Sequence, residues 1–225
     1  MKNGFFITGT DTEVGKTFVT CCLLKTLQSQ TDLPIYPRKP IASGAIRFTA
    51  QKLISQDAML LKTHSLTNES LNTICPYLFE ESISPARAIK INQQKITLSD
   101  LVKACDTPND GIKLVEGAGG FYSPLTGESL NSDLAIKLKL PIIIVTENRT
   151  GCINQILMAI EAVKANNLKI ACVVINDTHL KSDIENVKDI IELTDTKCIH
   201  IGYQPQQTPI HNQELWQAIA TYLTA

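Results

Sequence analysis

No run in this chain approaches the length of a membrane span, and its N-terminus lacks the apolar core of a secretion signal. An excess of one charge is missing too: 21 lysines and arginines stand against 22 aspartates and glutamates, a net of −1. Without a basic surplus, nucleic acid is not the expected partner. The seven cysteines are odd in number, scattered, and contain no C-x-x-C pair, and none of the four histidines stands at metal spacing from one. That pattern argues against a disulfide framework and against a zinc site. Together these absences predict a cytoplasmic, reduced protein with no membrane segment.

What remains is a chain of 225 residues, 44% hydrophobic, long enough for one well-buried α/β domain. Its organising stretch is Gly9-Thr10-Asp11-Thr12-Glu13-Val14-Gly15-Lys16-Thr17. An apolar run (Phe5, Phe6, Ile7) precedes it, and an amphipathic segment over residues 18–27, starting at Phe18, follows. Strand, glycine-bounded turn and helix in that order form the setting of a phosphate-binding P-loop. Glycines let the loop turn its N–H groups inward, and a helix starting near Gly15 adds its positive dipole end. Lys16 then reaches the outer phosphates, and the Thr17 hydroxyl is placed to ligate Mg²⁺. The spacing departs from G-x-x-x-x-G-K-[ST]: Gly9 lies one residue early, and Thr10 stands where the glycine is expected.

Further along, Leu33-Pro34-Ile35-Tyr36 reads as a short strand, and Lys39 and Ser43 fall just past its end, where a parallel sheet faces its ligand crevice. By spacing alone, Lys39 reads equally well as a solvated surface lysine. Ser55 caps a helix carrying Asp57 in its first turn, where a carboxylate also serves simply to complement the helix dipole. Residues 65–95 give little signal beyond short extended pieces at Tyr77-Leu78-Phe79 and Ala88-Ile89, and a helix begins at Leu98. The second strong signal spans residues 111–120, an apolar strand ending on Glu116 and followed by a glycine-rich loop, Gly117-Ala118-Gly119-Gly120. A carboxylate at this strand end in P-loop enzymes holds or orients Mg²⁺.

Residues 141–145 and 170–175 are continuous apolar runs, the pattern of strands buried on both faces. Between them, Thr150-Gly151-Cys152-Ile153-Asn154 opens a helix whose bare N-terminus is a potential anion site. Asn176-Asp177 ends the later strand and suits either a nucleotide base or an Asx turn. A polar helix near residues 182–193, a loop containing Pro205-Gln206-Gln207 and an amphipathic helix over residues 213–223 complete the chain. Alternating strands and helices predict a single doubly wound α/β domain over residues 1–225, a mostly parallel sheet flanked by helices.

In this order, the loop at residues 8–17, Lys39 to Gly44, Asp57-Ala58, the segment from Glu116, the segment from Gly151 and Asn176-Asp177 resemble dethiobiotin synthetase, whose P-loop has this longer spacing. The likeness runs from residue 4 to about 207. It implies an ATP-dependent cyclo-ligase of biotin biosynthesis that joins 7,8-diaminononanoate, CO₂ (or bicarbonate) and ATP into dethiobiotin, ADP and phosphate. By that resemblance Lys16 and Lys39 are catalytic, and Thr17, Asp57 and Glu116 hold Mg²⁺. Glu13, Val14, Gly15, Lys16, Thr17, Phe18, Asp57, Glu116, Gly117, Ala118, Gly119, Asn176, Asp177, Pro205, Gln206 and Gln207 surround ATP. Thr12 and Ser43 take the diamine and its carbamate. Gly151, Cys152, Ile153 and Asn154 serve the substrate site of the other subunit of a homodimer. The competing reading, a partner-switching P-loop ATPase, lacks here the G-K-G-G loop or second lysine such proteins usually carry, and no N-K-x-D motif points to a GTPase.

Overall fold

The apolar runs become strands buried on both faces. The computed structural model describes residues 3–50, 52–180 and 182–223. In chain order the elements are β1 (Gly4–Gly9), α1 (Lys16–Gln28), β2 (Ile35–Arg38), β3 (Ile41–Ala42), β4 (Ile46–Thr49), β5 (Lys52–Ile54), α2 (Gln56–His64), α3 (Leu71–Ile74), β6 (Tyr77–Leu78) and α4 (Pro85–Ile91). Then come α5 (Leu98–Ala104), β7 (Ile112–Gly120), α6 (Asn131–Leu138), β8 (Ile142–Glu147), α7 (Cys152–Ala165), β9 (Ile170–Asn176), α8 (Ile184–Leu193), β10 (Cys198–Ile201) and α9 (Gln213–Ile219).

Six strands form one sheet in the order β10-β9-β8-β1-β7-β2, with every pairing parallel. Alternation along β1 sends Phe5 and Ile7 into one core and Phe6 into the other. The first core packs α1 and α9 through Val19, Leu23, Leu215 and Ile219. The second packs α5, α6, α7 and α8 through Leu101, Leu134, Ile156 and Ile190. Helices therefore cover both faces, as an all-parallel sheet requires. β1 lies between β7 and β8, so the chain leaves it in both directions and opens a crevice at the carboxyl ends of the strands.

Two expectations are corrected. Ala88 and Ile89 are helical, inside α4, because Pro85 sits in the first turn after Ser84 and pre-sets the helical φ. The glycine-rich segment after Glu116 is part of β7 and not a free loop. Its register explains the glycines: Ile7 faces Glu116 while Gly9 faces Gly120, so Gly117, Ala118 and Gly119 leave the ladder, and Ala118 and Gly119 reach the crevice. At Gly117 a Cβ would lie 2.5 Å from the Asn131 side chain, which leaves room only for glycine.

One buried ion pair holds the sheet edge. Arg38 is 2% exposed and binds both Glu69 oxygens, at 2.6 and 2.7 Å, with further bonds to the carbonyls of Pro37 and Asp106. Removing one member strands a buried charge. Glu69→Ala is expected to lower unfolding stability in urea by about 3–5 kcal/mol. Arg47→Ala, which breaks the half-exposed Arg47–Glu80 pair, is expected to cost less than about 1 kcal/mol in the same titration.

Candidate active site

Where β1 ends, the backbone turns sharply. A Cβ at Gly9 would fall 2.6 Å from the Asp11 carbonyl, and Gly15, with φ +89°, caps α1 in the left-handed region. The Thr10 N–H donates to Val145 O at 2.9 Å and its hydroxyl pairs with Thr146 at 3.0 Å, so the residue at the expected glycine position pins the loop to β8. The Lys16 ammonium curls back across the loop and donates to Asp11 O at 2.6 Å. Burial, reinforced by the nearby Lys39 charge, pushes the Lys16 ammonium down to about 8, a cost that an arriving anion would relieve.

Beside the loop lies a charged triad. Lys39 Nζ donates to Asp57 Oδ2 and to Glu116 Oε1, both at 2.6 Å. Lys39 is 5% exposed and Glu116 is fully buried, so the surface-lysine reading fails. Burial works against the Lys39 charge, but Glu116 and Asp57 outweigh it and hold the ammonium above the usual lysine range. Burial likewise opposes the Asp57 carboxylate, yet Lys39 and the Thr17 hydroxyl hold it below its usual range. Thr17 Oγ1 donates to Glu116 Oε1 at 2.7 Å, and Thr20 Oγ1 to Glu116 Oε2 at 3.1 Å. Ser55 caps α2 as expected, its Oγ accepting from the Ala58 N–H at 3.2 Å, and so fixes the turn that carries Asp57.

A cleft of about 810 Å³ opens over these groups. Thr12, Glu13, Gly15, Lys16, Thr17, Phe18, Lys39, Ser43, Asp57, Glu116, Ala118, Gly119 and Gln207 line it. Next to it a smaller, more apolar hollow is walled by Phe18, Cys21, Leu60, Gln206, Gln207 and Pro209. Val14 and Gly117 are buried behind the cleft, and Pro205 lines neither hollow. Asn176 packs against the phosphate loop, Nδ2 donating to Val14 O at 3.3 Å, with its buried Oδ1 left without a partner. Both oxygens of Asp177 are engaged, one by Asn148 at 2.8 Å and one by His200 at 2.9 Å. Residues 151–154 line neither hollow: Gly151 and Asn154 are exposed, while the Cys152 side chain is buried in the core.

The sequence reading passed over Asn131. Fully buried at the start of α6, it donates to Thr8 Oγ1 at 3.3 Å and to Gly120 O at 3.2 Å, bracing β1 against the glycine bulge. The signal available was Asn131-Ser132-Asp133 before an apolar run, with Asp133 reaching back to the Leu130 N–H at 2.7 Å. Burial raises the thiols of Cys21, Cys22, Cys75, Cys105, Cys172 and Cys198. No helix among the described residues is long and apolar enough to cross a membrane.

A parallel sheet switching direction beside a glycine-hinged loop, with a lysine and a threonine at the head of its helix, defines a P-loop nucleotide-binding protein. The fold is similar to that of the MinC:MinD cell division protein complex of Aquifex aeolicus, with TM-score 0.57, 15% identity, and coverage of 99% of this chain and 96% of that one. A family model described as an AAA domain matches residues 3–213. The ATP-dependent dethiobiotin synthetase of Vesicomyosocius okutanii is 37% identical over 87% of this chain and 88% of its own length. That of Anoxybacillus flavithermus is 37% identical over 95% and 97%. The chain belongs to the dethiobiotin synthetase family, ATP-dependent ligases of biotin biosynthesis.

Proposed function

We propose that this protein, a single domain over residues 1–225 acting in the cytoplasm, closes the ureido ring of dethiobiotin from 7,8-diaminononanoate, CO₂ and ATP. The observation that carries the reading is the meeting of Lys16, Lys39, Thr17, Asp57 and Glu116 at one end of a cleft whose other lining includes Thr12 and Ser43. One amine of the diamine takes up CO₂ as a carbamate. A carbamate oxygen then attacks the γ-phosphorus of ATP and ADP leaves, giving a carbamic-phosphoric anhydride. The second amine attacks the anhydride carbon, the C–O bond to phosphate breaks, and the amine proton is lost as the ring closes.

Two anions must meet in the first transfer, so the site needs fixed positive charge. Lys16 would supply it to the outer phosphates and Lys39 to the carbamate, since both line the cleft with Ser43. Thr17, Asp57 and Glu116 would hold Mg²⁺: all are hard oxygen donors, which is the donor set this ion takes. Among the described residues no group of three or more His, Cys, Asp or Glu is placed to hold a metal, so phosphate and water would complete its shell. When bound, Mg²⁺ neutralises charge on the phosphates. Gln206, Gln207 and Phe18 would face the base in the adjoining hollow.

The exposed start of α7 suits a role across a homodimer interface, its N-terminus receiving the substrate carboxylate in the neighbouring subunit's cleft. Asn154→Ala is therefore expected to raise the Kd for the diamine while leaving that for ATP unchanged, as read by titration calorimetry. Full activity in a monomer at nanomolar concentration would remove this part of the proposal. The reaction itself is tested by ADP release in the presence of Mg²⁺. It should require both diaminononanoate and bicarbonate and match dethiobiotin one to one. Hydrolysis that ignores the diamine would favour a switch ATPase.

A further inference from the structure

Lys39 occupies ground that the reading above, on which this inference rests, gives to a metal. Its ammonium lies 2.6 Å from Asp57 Oδ2 and 2.6 Å from Glu116 Oε1, bridging the two carboxylates. Glu116 Oε1 accepts from both Lys39 and Thr17, which uses the two lone pairs of that oxygen. The other oxygen of Glu116 faces the Thr20 hydroxyl at 3.1 Å, which has a closer acceptor in Lys16 O at 2.8 Å. The Glu116 oxygen that Lys39 and Thr17 share therefore has nothing left for a cation unless Lys39 withdraws. We propose that Lys39 is a tethered counter-ion, exchanged for a divalent cation when the nucleotide loads, so that metal arrival itself releases the ammonium toward the substrate.

Charge bookkeeping supports the exchange. Asp57 and Glu116 carry two negative charges, and one lysine balances half of them. A divalent ion balances both, leaving the Lys39 charge without a partner in a place 5% exposed. A buried ammonium stripped of its carboxylates needs another anion at once. The same cleft supplies that place, since Lys39 and Ser43 both line it. Metal alone should thus bind poorly, and metal with an anion in the cleft should bind well. The coupling would keep Lys39 quenched until its target is present, using one lysine first as structural counter-ion and then as catalyst.

The test is binding of Mn²⁺, as a paramagnetic substitute for Mg²⁺, to the full chain without nucleotide, followed by the spin resonance of the free ion. Lys39→Met removes the competitor and should bind Mn²⁺ about tenfold or more tightly than the parent protein, since breaking a buried pair leaves strong uncompensated charge. Adding Asp57→Asn should cancel the gain. Equal or weaker binding by Lys39→Met overturns the proposal. A measurement on the unaltered chain covers the case in which that variant does not fold. With ¹⁵N-labelled lysine, the Lys39 ammonium signal, assigned by its loss in Lys39→Arg, should move when Mg²⁺ and ADP are added together. A signal that stays in place overturns the exchange. Neither readout uses dethiobiotin formation. A protein that makes no dethiobiotin but shows the metal gain sinks the proposed reaction and leaves the exchange standing.

Discussion

Lys39→Ala is expected to slow single-turnover dethiobiotin formation by about 10²–10³-fold, the usual loss when one preorganised donor is removed from a site of developing charge. Its ammonium is buried beside Glu116 and Asp57, and the residue lines the same cleft as Ser43. ATP affinity should not weaken, because on the proposed reading the phosphates would rest mainly on the loop around Lys16. Lys39→Arg should restore little: a planar fork is bulkier than a compact ammonium and spreads its charge over three nitrogens. The decisive comparison is single-turnover product formation at saturating ATP, diamine and bicarbonate, beside ATP titration of each variant. Near-normal turnover in Lys39→Ala would leave this lysine a purely structural ion-pair partner.

Gly15→Ala is expected to be as damaging by a different route. Gly15 has φ +89°, where an L side chain costs roughly 1–2 kcal/mol. Its new Cβ would also lie 2.2 Å from Asn176 Nδ2, so the Asn176 carboxamide must give way and lose its bond to Val14 O in the phosphate loop. Lys16 and Thr17 follow directly in the chain, and a displacement of about 1 Å at such groups costs about 10²-fold in rate. Turnover and ATP affinity should fall together, in contrast to Lys39→Ala. An ATP Kd within about twofold of the parent's, the interval set by ordinary surface changes, would show that the loop tolerates the shift.

The elements most legible in the sequence are those whose apolar runs are buried on both faces, β1, β8 and β9, together with α7, which Gly151 caps. Periodicity reports burial: the three strands are buried, and α7 buries one face through Ile156, Ile160 and Val163. The β4–β5 hairpin escaped notice because Ile46, Arg47, Phe48 and Thr49 are all exposed, so little core pattern marks it. α6 was passed over, and α4 reads as extended at Ala88-Ile89, despite local punctuation at Asp133 and Pro85. The site divides along the same line. Lys16 and Thr17 announce themselves because loop and helix are contiguous in the chain. Lys39 is separated by 18 residues from Asp57 and by 77 from Glu116, and only the sheet order brings them together. Only the family resemblance linked those three in the sequence. Asn131, 123 residues from Thr8, had no such motif to mark it.

The central claim is that this cleft phosphorylates a carbamate, and oxygen tracing tests it most directly. With ¹⁸O-labelled CO₂, diaminononanoate and Mg²⁺-ATP in one rapid turnover, before label exchanges with water, the account predicts one labelled oxygen in the released phosphate. That atom is the carbamate oxygen that attacked the γ-phosphorus, and it leaves with phosphate when the ring closes. The second CO₂ oxygen should appear in the ureido carbonyl of dethiobiotin. Unlabelled phosphate, released in step with ADP, would contradict the account, because water and not a carbamate would then have taken the phosphoryl group.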